Sequence, residues 1–99
     1  MPEFSWPDRS QVPAPESIEQ SWPATVSALP VGSHVSGRVV GRQPFGVFLL
    51  IDGVPNALGL AEITAMPHRM ELPVAGTTVA GVVLWHAEHN LQVKIKLDE

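Results

Sequence analysis

From Pro30 onward, apolar and polar residues alternate with a period of two, as they do in strands that bury one face. Val35, Gly37 and Val39 fall on one side of a first strand, with Ser36, Arg38 and Val40 on the other. A second strand runs from about Phe45 to Asp52, with Val47, Leu49 and Ile51 in phase, and the cluster Asp52-Gly53-Val54-Pro55-Asn56 turns it. A third covers about Leu58 to Ile63 and a fourth Thr77 to His86, after which Glu88-His89-Asn90 reverses the chain. In the last strand Leu91, Val93, Ile95 and Leu97 point inward, and Gln92, Lys94 and Lys96 outward. Residues 64–75 hold Pro67 and Pro73, which predicts an irregular connection with one helical turn. Five short strands within residues 30–97 predict an all-β fold, a small five-stranded barrel, because closure leaves few unpaired edges.

Residues 1–20 are rich in Pro, Ser, Glu and Gln and lack an apolar period, so they read as a flexible tail. The tripeptide Ser5-Trp6-Pro7 recurs as Ser21-Trp22-Pro23. Either Trp22 covers one end of the barrel or the motif addresses a partner. Ser21 is placed to cap a short helix over about residues 23–29, with proline tolerated in its first turn. The organisation expected is an acidic, proline-rich extension over residues 1–29 and one barrel domain over residues 30–97.

Composition narrows the classes. A chain of 99 residues with 44% hydrophobic and 16% charged residues makes one small globular domain. The absence of cysteine removes disulfides, thiolate nucleophiles and thiolate metal sites, and suits a cytoplasmic protein. The first residues have no basic flank or apolar stretch, so no signal peptide is expected. No run approaches the roughly 18 apolar residues of a membrane span, and no membrane association is expected. The net charge of −4 is uneven. Glu3, Asp8, Glu16 and Glu19 against Arg9 leave −3 in residues 1–29, and Asp98 and Glu99 add −2. Within residues 30–97, Arg38, Arg42, Arg69, Lys94 and Lys96 against Asp52, Glu62, Glu71 and Glu88 leave +1. That is far from a strongly basic footprint, so any nucleic-acid binding is expected to be weak and salt-sensitive.

The candidate chemistry lies in Phe45-Gly46-Val47-Phe48, behind Arg38 and Arg42. Flat rings beside positive charge suit unpaired bases on a phosphate backbone. The ordered series Val31-Gly32, Val35, Gly37, Val39, Pro44-Phe45-Gly46-Val47-Phe48, Gly59-Leu60 and Lys94-Ile95-Lys96-Leu97 resembles the ribosomal S-one type RNA-binding domain. The resemblance covers about residues 30–97 and implies a five-stranded OB-fold barrel that binds single-stranded RNA. It makes Phe45 and Phe48 the stacking aromatics and Lys94 a basic contact. Strict alternation puts residues three apart on opposite faces, so a bulge or sharp twist at Gly46 is needed to turn both rings outward. The chain departs from the family at Glu62, which stands where a histidine is common and whose carboxylate repels phosphate. Glu88 is the nearest match to the family's acidic residue after the fourth strand, in a longer loop.

Each candidate has a plainer reading. One of the two phenylalanines could be core. Arg38 and Arg42, which share a parity, either track phosphates or form a solvated face, and the same holds for Lys94 and Lys96. Trp85 adds stacking surface or fills the barrel. His68-Arg69 reaches a ligand or is simply exposed. His86, Glu88 and His89 suggest imidazole–carboxylate zinc chemistry, but nothing nearby completes four ligands, so no metal or other cofactor is expected. No nucleophile elbow or Gly-rich phosphate loop is present, so no enzyme is expected. The expected function is low-specificity single-stranded RNA binding, with Phe45 and Phe48 stacking bases and Arg38, Arg42 and Lys94 meeting phosphates. The rival is a protein-interaction or structural module, within a ribonucleoprotein or other complex, that kept the barrel and lost the RNA face. The acidic tail could also lie across the basic face and compete with RNA, in which case removing residues 1–28 strengthens binding.

Overall fold

The computed structural model describes residues 4–67 and 70–98. An α-helix, α1 (Pro15–Ala28), precedes five strands: β1 (His34–Gln43), β2 (Gly46–Ile51), β3 (Leu58–Glu62), β4 (Thr78–Ala87) and β5 (Gln92–Leu97). One 3-10 turn, Ile63–Ala65, follows β3. The strands close into a barrel in the order β1-β2-β3-β5-β4, antiparallel at every seam except the parallel pairing of β3 with β5. The expected strands and barrel are therefore present.

Val39, Val47, Leu49, Ile51, Val83, Val93, Ile95 and Leu97 fill the interior. Alternate positions on the strands send these branched side chains to one side, where removal from water stabilises each by about 1.5–3 kcal/mol. A second apolar cluster lies outside the barrel. It consists of Val40, Phe48 and Leu60, with Val12, Leu50 and Leu58 against them.

The extension is ordered differently from the expectation. The helix begins at Pro15, which takes the first position where a missing N–H costs nothing, and Ala14 rather than Ser21 is its N-cap. It runs on through Pro23. Ile18, Trp22, Thr25 and Leu29 recur at helical spacing, and this stripe faces inward: Thr25 and Leu29 are buried and Trp22 packs on the core. His86 Nε2 lies 2.6 Å from the Leu29 carbonyl and ties the end of the helix to β4. Part of the expected tail docks on the barrel: Ser5 pairs with Arg42 near the end of β1, Pro7 lies against Gly41 and Val12 joins the outer cluster.

Candidate nucleic-acid interface

Two bulges decide which side chains face outward. In β1 the partners step from Val39↔Leu49 to Gly41↔Phe48, so Val40 is an extra residue. In β4 they step from Val83↔Ile95 to Trp85↔Lys94, so Leu84 is extra. Each insertion reverses the alternation beyond it. Gly41, Phe48, Leu60, Lys94 and Trp85 consequently stand side by side across β1, β2, β3, β5 and β4 on the outer surface.

Phe45 precedes β2, in the turn Pro44-Phe45. Its carbonyl accepts a hydrogen bond from the Ile63 amide at 2.9 Å, which pins the turn to the end of β3. Gly46 has φ +154°, and a Cβ there would lie 2.2 Å from the Ala61 carbonyl oxygen. Only glycine allows β2 to leave the turn this close to β3, and the resulting twist brings the Phe45 ring to within 6.0 Å of Phe48, edge to face. Gly46 has a backbone conformation that favours glycine, while the bulge lies opposite Phe48, in β1. Phe45 is 40% exposed, and Phe48 only 6%.

The cations separate. Arg38 is exposed and faces outward opposite Leu50. The expected shared face with Arg42 does not form, because the Val40 bulge lies between them and sets Arg42 opposite the core residue Val47. From there Arg42 donates through Nε to the Pro73 carbonyl at 3.1 Å and through Nη2 to that of Leu72 at 3.0 Å, holding the connection into β4. Lys94 is almost buried, and its Nζ lies 3.0 Å from Glu62 Oε1. The carboxylate expected to repel phosphate thus also neutralises the lysine expected to attract it. Lys96 is exposed on β5, and Glu88 is exposed in the β4–β5 turn. His68 and Arg69 lie outside the described residues. Among the described residues, no three His, Asp or Glu side chains come together to hold a metal ion. No helix among them is long and apolar enough to cross a membrane.

Two tryptophans join this surface. Trp85, one of whose readings was barrel filling, is 48% exposed beside Lys94. Counting inward from Val83 by twos points it into the barrel, and nothing in the local sequence announces the Leu84 bulge that turns it out. Trp6 sits 6.0 Å from Phe45 and 6.0 Å from Phe48. The recurrence of Ser-Trp-Pro was the available signal for it, but its place on the barrel was not legible.

The closed barrel and the residues across its outer face define an OB-fold domain of the S-one type. No protein-family model and no curated protein matches the chain. Among solved structures it is similar to GSP13 from Bacillus subtilis, with 31% identity and a TM-score of 0.55 over 71% of this chain and 55% of that one. It is also similar to RNase R from Mycoplasma genitalium in complex with ribose-methylated single-stranded RNA, at 15% identity and a TM-score of 0.67 over 82% of this chain. A third is the a/eIF2alpha–aDim2p–rRNA complex from Pyrococcus horikoshii, at 18% identity and a TM-score of 0.59 over 68% of this chain. The chain spans only 15% of the RNase R chain and 43% of the Pyrococcus one.

Proposed function

We propose that the barrel binds single-stranded RNA with low sequence specificity, as a binding module and not as an enzyme, in the cytoplasm. The observation that carries this reading is the exposed Phe45 ring, pinned at the start of β2 beside Phe48 on the outer face. A ring held in place stacks any base without reading its edge. The similarity to structures solved with single-stranded and ribosomal RNA supports the same ligand class. Arg38 supplies phosphate contact, while Arg42 and Lys94 are engaged within the fold and contribute mainly to its shape. With so few free cations on the face among the described residues, affinity is low and falls steeply with salt.

Titrating the full chain with a short oligouridine, followed by amide NMR, tests this. Shifts clustered on Arg38, Phe45 and their neighbours at low salt, fading at physiological salt, are the expected result. A silent spectrum at low salt rejects RNA as the ligand. It would turn attention to a protein partner, the reading favoured by the neutralised Lys94.

The Lys94–Glu62 pair provides a second prediction. Glu62 is 42% exposed but Lys94 only 11%, so solvent screens the pair in part and its loss costs the fold some stability. Glu62→Gln removes the opposing charge and frees Lys94 for phosphate. RNA affinity should rise several-fold, and the slope of log affinity against log salt should steepen by about 0.7, the value of one added contact to a single strand. An unchanged slope would show that Lys94 cannot reach the ligand.

A further inference from the structure

The outer face carries a side chain from outside the barrel. Trp6 precedes Pro7, and a residue before proline is driven into extended backbone. Extended, Ser5 pairs with Arg42 through two hydrogen bonds of 2.7 Å, one from each amide to the other carbonyl. This occurs at the end of β1 that lies beyond its pairing with β4, which stops at Arg38. The antiparallel pair brings Trp6 level with Gly41, on the side where Phe48 is the neighbour across β2. Gly41 has no side chain to intervene; a Cβ there would meet Pro7 at 2.7 Å. The indole therefore reaches across the glycine, and the Arg42 guanidinium carbon lies 5.9 Å from the centre of the Phe4 ring.

Trp6, Phe45 and Phe48 form a triangle, each ring centroid 6.0 Å from the other two. Their exposures differ sharply. Trp6 is 65% exposed, while Phe48 is buried beneath. A base stacks only on a ring face that solvent can reach. The surface open to a ligand belongs to Trp6 and Phe45, with Phe48 as the floor under both.

We propose that Trp6 is a ligand-binding residue, and that residues 4–7 complete the single-strand platform by adding an indole in place of the covered Phe48. This inference rests on the RNA-binding reading of the face. The docked segment adds to the site because its indole offers more exposed ring than the Phe48 it covers. Asp8, which follows the segment, is exposed and accepts hydrogen bonds from the Ser10 amide and then the Ser10 hydroxyl. These draw its carboxyl below the ordinary range, so it stays charged, but it forms no ion pair with Arg38 that would withdraw that cation from the face.

The test compares the full chain with Trp6→Ala and Trp6→Phe by anisotropy of a labelled oligouridine at low salt, with Phe45→Ala as reference. Trp6→Ala is expected to weaken binding about 5- to 150-fold, the span of one lost base–ring stack, and Trp6→Phe to retain most of the affinity. The indole Nε1–H resonance of Trp6 in the unaltered chain should also shift on RNA addition, a readout that needs no variant. Tighter binding by Trp6→Ala would overturn the proposal and show the segment to be a competitor. Unchanged binding by Trp6→Ala, with Phe45→Ala weakened, would overturn it while leaving the RNA reading intact. No binding by the unaltered chain would reject both. Removing residues 1–28 would not serve as the test, because it strips Trp22 and Thr25 from the barrel.

Discussion

Gly46→Ala should cost the fold about 3–5 kcal/mol and lower its melting temperature by at least about 12 °C. Two costs combine at one atom. The new Cβ would lie 2.2 Å from the Ala61 carbonyl oxygen and 2.9 Å from the Glu62 Cα, both backbone of the neighbouring strand. A flexible side chain could swing aside, but a strand paired with β2 on one side and β5 on the other cannot. The φ of +154° adds conformational strain, since residues with a Cβ rarely adopt it. Relief requires β2 to separate from β3 at its first pair, which would also release the Phe45 turn from Ile63. For a domain with roughly 5–15 kcal/mol of total stability, that loss is severe. Thermal and urea unfolding followed by circular dichroism measure it. A melting temperature within about 4 °C of the unaltered protein would show that the β2–β3 seam yields, and that the geometry at Gly46 is not rigid.

The two phenylalanines should divide in their effects. Phe48→Ala removes a buried ring from between Val40, Leu60 and Trp6, leaving a cavity roofed by the N-terminal segment. Large-to-small changes of this kind cost about 3–5 kcal/mol. Phe45 is substantially exposed and its backbone is held independently of its ring. Phe45→Ala should therefore leave the unfolding midpoint nearly unchanged and weaken oligouridine binding by about 1–3 kcal/mol, the worth of one stacked base. Urea titrations and RNA anisotropy on the same two variants separate the effects. If Phe48→Ala is as stable as the unaltered protein, the outer cluster contributes little. If Phe45→Ala binds RNA normally, the stacking site lies elsewhere on the barrel.

The stripe Ile18-Trp22-Thr25-Leu29 was present in the sequence at helical spacing, but Pro15 and Pro23 and the polar residues between its members disguised it. A proline in the first turn costs a helix nothing, and Pro23 is exposed, so tertiary packing of Trp22 and Leu29 prevailed over local propensity. Arg42 was misplaced, and Trp85 left between two readings, for a different reason. Each lies just beyond a bulge, and one extra residue moves every later side chain to the opposite face. The Lys94–Glu62 pair joins residues far apart in the chain and follows only from the parallel seam between β3 and β5.

The period-two runs and the turn clusters were enough, from sequence alone, to determine five strands and a closed barrel, and the resemblance carried by the Phe-Gly-Val-Phe group and its framework marked that barrel as an OB-fold and located its outer aromatic pair. Those features are local: they depend on alternation and on backbone chemistry within a few residues. Tertiary structure decided which rings a ligand can reach. It buried Phe48, turned Trp85 outward, tied Arg42 to the Leu72 and Pro73 carbonyls, and seated Trp6 in the gap that Gly41 leaves open. Exposure is a property of all the chain that surrounds a residue, and at this site much of that chain arrives from far away in sequence.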